Sequence, residues 1–173
     1  MNDSDKIWYA CYGSNLSSKR FRYYIEGGYC SLNKKSYCGC RDKTLWTDFR
    51  IQEYPGKLYF ANVSKSWGGT GVAYYDPDGK GTVIMRLYKI TWDQFQCVQC
   101  QEGKSSKWYG KKLLLGTDED GTLIYTITCE EKSMRNSPSD AYYTLIRNAL
   151  IDECGLDSEK ADAYLEQALQ NQP

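Results

Sequence analysis

The amino-acid sequence predicts an α+β fold, a small mixed β-barrel with flanking helices, on three observations. Short runs rich in tyrosine, tryptophan and β-branched residues fill the front two-thirds of the chain, cut at close intervals by glycine and turn pairs, as antiparallel strands are. Strands in that number leave edges that an open sheet must protect, and closure into a barrel removes them. Three segments switch to a helical spacing of apolar residues with capping residues at their ends. With 173 residues, the chain suits one domain over residues 1–173, large enough to bury roughly 70% of the surface its unfolded form exposes.

The first element is a strand, KIWYACY, which ends in the polar corner Gly13-Ser14-Asn15 and runs into a short helix, SSKRFRYYI. Further strands are expected at KSYCGCR, TLWTDFRIQEY, KLYFANVS, GTGVAYYD, TVIMRLYKI, KKLLLGT and TLIYTITC, with turns at YPGK, DPDGKG and DEDG. KSWGGTG reads as a mobile loop. The helix TWDQFQCVQCQEG has Thr91 and Gln94 in capping-box positions and Gly103 as its stop. A second helix starts at SPSD, with Ser137 as cap and Pro138 in its first position. It carries Tyr142, Leu145, Ile146, Ala149 and Leu150 on one stripe and stops at Gly155. The last helix, SEKADAYLEQALQ, aligns Ala161, Leu165, Ala168 and Leu169.

Lysine plus arginine and aspartate plus glutamate both number 22, so the net charge is zero and no basic block offers a phosphate-tracking surface. Nucleic acid is not an expected partner. No apolar run reaches about 18 residues, and the first residues lack the basic flank and apolar core of a signal peptide; the expectation is a soluble, cytoplasmic protein with no membrane partner. Its eight cysteines are then expected to be reduced thiols. The absence of histidine removes Ser-His-Asp and Cys-His mechanisms and any imidazole metal site.

Three features remain for chemistry. The corner after the first strand presents consecutive backbone N–H groups, which hold a carboxylate or a developing oxyanion without a cationic side chain; the same residues also suit an ordinary turn that caps a helix. Glu102 projects onto the stripe formed by Trp92, Phe95, Val98 and Gln99, the face meant for the core, where desolvation raises a carboxyl pKa into a range useful for acid–base chemistry. In the last turn it can instead fray to solvent or meet a lysine of GKSSK. Cys38 and Cys40 with Cys97 and Cys100 give the count of a zinc site, but their spacings suit small core residues better, and no metal or cofactor is expected.

With the corner and Glu102 read together, the sequence resembles the γ-glutamylcyclotransferase family, which carries a YGSN motif after its first strand and a later buried glutamate in a QEG context. The matching residues are Tyr12-Gly13-Ser14-Asn15-Leu16 and Gln101-Glu102-Gly103, and Tyr109 and the stretch Pro138 to Tyr142 match further family positions. Cys11 stands where an alanine often precedes the tyrosine, and residues 27 to 66 show no match. The resemblance implies a single domain of that family's type, and an enzyme that cyclises a γ-glutamyl amine or peptide, releasing 5-oxoproline and a free amine. Glu102 is the implied acid–base group, Tyr12, Gly13, Ser14, Asn15, Leu16, Tyr109 and Tyr142 the implied substrate-binding residues, and a small γ-glutamyl compound the implied substrate. The alternative is a domain of the same fold that binds a small metabolite or a partner without turnover.

Overall fold

A computed structural model describes residues 1–173. In chain order it contains β1 (Lys6–Cys11), a 3₁₀ turn (Ser14–Leu16), α1 (Ser18–Glu26), β2 (Gly28–Cys30), β3 (Lys35–Tyr37), β4 (Phe49–Pro55) and β5 (Lys57–Ser64). A second 3₁₀ turn (Lys65–Trp67), β6 (Thr70–Asp76), β7 (Thr82–Thr91), α2 (Trp92–Glu102), β8 (Lys111–Thr117), β9 (Leu123–Thr128), α3 (Asp140–Asp152) and α4 (Ser158–Gln170) follow.

Five strands form an open sheet in the order β4-β7-β1-β9-β8. β1 runs antiparallel to β7 and parallel to β9. β5 with β6, and β2 with β3, form separate two-stranded ribbons. No sheet closes, so the expected barrel is corrected to a mixed α/β arrangement around an open sheet. The physical reason lies in how the edges are protected. β4 carries Arg50 and Glu53 and ends on Pro55, and β8 begins with Lys111 and Lys112, all features that discourage further pairing. The β5–β6 ribbon does not join the sheet by a backbone ladder; beside it, the Thr128 hydroxyl of β9 donates to the Tyr75 carbonyl of β6 at 2.6 Å.

The central strand β1 is buried on both faces after its first residue, which is why KIWYACY is a nearly continuous apolar run rather than an alternating one. Ile7, Tyr9 and Cys11 face one core, shared with Phe21 of α1 and Phe95 of α2. Trp8, Ala10 and Tyr12 face the other, built with the β5–β6 hairpin, Ile146 of α3 and Leu165 of α4. The sheet is therefore a middle layer, and the loop after β1 emerges between the two cores.

Several boundaries differ from expectation. β3 and β4 are shorter than the runs KSYCGCR and TLWTDFRIQEY, and β2 was not expected. Ser139, not Ser137, caps α3, accepting from the Tyr142 N–H, because Ser137 is held beside β6 by the Gly71 N–H at 2.8 Å. The helix ends at Asp152, ahead of Gly155. KSWGGTG is not simply a loop: its first three residues form the second 3₁₀ turn, and Trp67 is buried with its ring 4.7 Å from that of Tyr142. The capping box at Thr91 and Gln94 is present as expected. No helix is long and apolar enough to cross a membrane.

Candidate functional site

β1 ends at Cys11, and the chain turns through Tyr12 and Gly13 into the first 3₁₀ turn. Gly13 has φ −117°, so it is not there for a left-handed conformation. It is there for space: a Cβ would lie 3.1 Å from the Tyr142 hydroxyl and 3.2 Å from the Ala73 Cβ. From beneath, the Tyr88 hydroxyl donates to the Asn15 carbonyl at 2.9 Å and Arg86 Nη1 donates to the Leu16 carbonyl at 3.3 Å. The turn is thus fixed by its carbonyls. The Leu16 N–H returns to the Gly13 carbonyl at 2.9 Å, whereas the amides of Gly13 and Asn15 have no protein acceptor.

α2 brings Glu102 to this corner in its last turn. Phe95 and Val98 are fully buried below it, and Gln99 Nε2 donates to the carbonyls of Tyr109 and Gly110 at 2.9 and 3.0 Å, so one helix positions both Glu102 and the Tyr109 loop. Asn15 Nδ2 donates to Glu102 Oε1 at 2.9 Å, while Asn15 Oδ1 is buried without a partner. Glu102 keeps partial exposure, and it lines the cavity. Burial raises its pKa above the ordinary carboxylate value, although Arg20, the Tyr24 hydroxyl, Asn15 and Lys35 pull the other way.

The cavity is about 350 Å³, within the range of small-molecule sites. It collects the expected residues Tyr12, Gly13, Ser14, Asn15, Glu102, Tyr109 and Tyr142. Leu16 is the exception: it is fully buried in the core, and its N–H is already bonded. The tyrosine hydroxyls are engaged. Tyr12 donates to the Ile127 carbonyl at 2.7 Å and Tyr109 to the Ala73 carbonyl at 2.9 Å, while the Ala73 N–H donates to the Tyr142 hydroxyl at 3.2 Å. Tyr109 and Tyr142 therefore satisfy the free edge of β6, and Tyr109 also stacks on Tyr74 with centroids 5.0 Å apart.

Arg20, Tyr24, Asn33, Lys35, Tyr37 and Trp67 also line the cavity and were not expected there. Arg20 and Tyr24 had a signal in the sequence: four residues apart on α1, they put a cation and a phenol on the same face as Phe21 and Ile25. Asn33, Lys35 and Tyr37 come from the segment without a family match. Cys40 is buried with its thiol against that of Cys97, Cys38 and Cys100 are exposed, and no group of three or more His, Cys, Asp or Glu side chains could hold a metal ion. The expectation that Cys38 packs as a core residue is thereby corrected.

Replacing Gly13 with valine is expected to leave the fold in place and weaken ligand binding by about tenfold or more, because its methyl groups would displace the Tyr142 hydroxyl and obstruct the corner amides. Calorimetric titration of the folded variant with γ-glutamyl-alanine, a member of the substrate class that the sequence resemblance implies, checks this. Unchanged affinity would reduce the corner to a structural turn.

No family model matches the chain. Histone deacetylase 5 of Arabidopsis thaliana is 29% identical over 203 residues, an alignment covering 94% of this chain but 31% of that protein. The chain thus spans under a third of the length of the curated relative it matches. Among solved structures, one described as a gamma-glutamyl cyclotransferase superimposes with TM-score 0.67 at 18% identity, covering 96% of this chain and 89% of the other. An uncharacterized protein from Homo sapiens gives TM-score 0.67 at 18% identity, with 95% and 88% covered. YkqA from Bacillus subtilis gives 0.57 at 17%, with 98% and 56% covered. At these identities the likeness is one of fold, and the fold is that of γ-glutamylcyclotransferase-like proteins.

Proposed function

We propose that the protein cyclises a γ-glutamyl amine or peptide, releasing 5-oxoproline and a free amine. The observation that carries this reading is the placement of one carboxylate with a raised pKa, Glu102, against the Gly13–Asn15 corner inside a cavity of about 350 Å³. The likeness of the fold to a structure described as a gamma-glutamyl cyclotransferase adds support.

The reaction suits a site without histidine, because the nucleophile arrives with the substrate. The α-amine attacks the γ-carbonyl, a C–N bond closes the five-membered lactam, and the bond to the leaving nitrogen breaks. Two protons leave the α-ammonium as it becomes the lactam N–H, and two are taken up by the leaving nitrogen as it departs as an ammonium ion. Glu102 moves them in turn, as base and then as acid. Asn15 Oδ1, buried and unpartnered, is an acceptor for the ammonium, and the free amides of Gly13 and Asn15 are donors for the γ-glutamyl carboxylate or the developing oxyanion. The cavity walls hold the flexible γ-glutamyl chain in its folded, reactive conformer.

The test is a panel of γ-glutamyl amino acids, peptides and amines, assayed for 5-oxoproline. Release from at least one member supports the reading. Saturable binding without product from any member supports the alternative, a binding domain on the same fold.

A further inference from the structure

The charges around the cavity do not balance. Glu102 is its one acidic residue, against Arg20, Lys35 and, at the rim, the exposed Lys65, in a chain whose overall net charge is zero. Arg20 is the unusual member. It is 2% exposed, yet no carboxylate pairs with it: Nη2 donates to the Tyr24 hydroxyl at 3.2 Å and to the Tyr37 hydroxyl, while Nε and Nη1 have no partner. A buried guanidinium with open donors is costly unless something completes it. Its surroundings keep it charged, since Tyr24, Tyr37 and Glu102 outweigh the effect of burial.

The neighbours are arranged to hold it in place. Tyr37 also receives Asn33 Nδ2 at 2.8 Å, and the Lys35 ammonium sits 4.9 Å from the centre of the Tyr37 ring. Asn33 Oδ1 is buried without a partner, leaving an acceptor for a ligand N–H beside the two cations.

We propose that Arg20 and Lys35 form an anion-binding subsite that takes a carboxylate on the leaving group, so that the site selects γ-glutamyl amino acids and peptides over γ-glutamyl amines. This inference rests on the function proposed above. A γ-glutamyl moiety brings one ammonium and one carboxylate, no net charge, and leaves the excess cation of the Arg20–Lys35–Glu102 set uncompensated. A leaving group with its own carboxylate supplies the missing charge. A polyamine leaving group would place a further cation among these two.

The test compares γ-glutamyl-alanine with γ-glutamyl-alaninamide, which differ only in that carboxylate. Wild type is expected to favour the acid by about 10- to 100-fold in kcat/KM, the worth of a charge-assisted hydrogen bond. Arg20→Lys and Lys35→Gln should each narrow that ratio to within about threefold of unity, mainly by weakening the acid. Arg20→Lys keeps the charge in case removing it prevents folding, and Lys35 is only half-buried. Binding of both compounds to Glu102→Gln protein is measured by calorimetry in parallel. Turnover with an acid-to-amide ratio near one overturns the subsite and leaves the function standing. Absent turnover with an affinity difference that disappears in Glu102→Gln/Lys35→Gln retains the subsite and overturns the function. Equal affinity for both compounds in the absence of turnover overturns the subsite as well.

Discussion

Glu102→Gln is expected to fold, to melt no lower than wild type at neutral pH, and to release 5-oxoproline about 10²- to 10⁴-fold more slowly. Glutamine is nearly isosteric and its Oε1 can still accept from Asn15 Nδ2, so the corner should keep its geometry. It cannot accept a proton from the α-ammonium. The stability half of the prediction follows from the direction of the pKa shift. Burial places the folded carboxyl above its unfolded value, so keeping it ionised costs stability at neutral pH, and the cost fades as pH falls through the raised value. The melting advantage of the variant should therefore be greatest near neutrality and shrink on acidification. Wild-type turnover should rise with pH along a limb displaced upward from the ordinary carboxylate range, and that limb should be absent from any residual activity of the variant. Turnover within about threefold of wild type is too small a loss for a missing proton relay and would remove Glu102 from the mechanism.

Gly71→Ala is expected to lower stability by about 3 kcal/mol or more, which for a chain of this size is about 10 °C in Tm. A Cβ at Gly71 would lie 1.9 Å from the Asn136 carbonyl oxygen and 2.7 Å from its carbon, and both are backbone atoms. The Gly71 N–H simultaneously donates to the Ser137 carbonyl at 2.8 Å, so β6 and the segment leading into α3 cannot separate without losing that bond. The effect should reach the cavity, since the same segment delivers Tyr142 against Ala73. Thermal melts of the two proteins check it; a change of about 1 °C or less would mean that the approach of these two segments is misplaced.

Much of this architecture is legible in local sequence, and the parts that are not have a common cause. Strand β1, the Thr91–Gln94 capping box and the stripe of α2 are short-range patterns, and they are found where the spacing puts them. Whether the sheet closes depends on which edges meet. The parallel pairing of Trp8 with Ile124 joins residues with more than a hundred others between them, and nothing in either segment specifies it. The α3 cap shows the same limit: Ser137 and Ser139 both suit the position, and the choice is made by β6, which bonds Ser137.

The cavity was legible in the corner, Glu102, Tyr109 and Tyr142, which it gathers, and not in Leu16, whose position in the motif hides that it points into the core. Arg20 is less legible, because a basic residue in a short helix is ordinarily solvated. Like Glu102, Arg20 is a charge on an apolar face, that of Phe21 and Tyr24. Asn33 and Lys35 reach the site from a segment whose strands are three residues long, too short for periodicity to register.

The central claim is that the substrate supplies its own nucleophile, and isotope placement tests it most directly. Wild-type protein is incubated with the best substrate of the γ-glutamyl panel in ¹⁸O-enriched water, and the products are read by mass spectrometry. Intramolecular attack predicts 5-oxoproline free of solvent oxygen, released in equal amount with the amine and lost with Glu102→Gln. Glutamate carrying solvent oxygen would show that water is the nucleophile and would contradict the account.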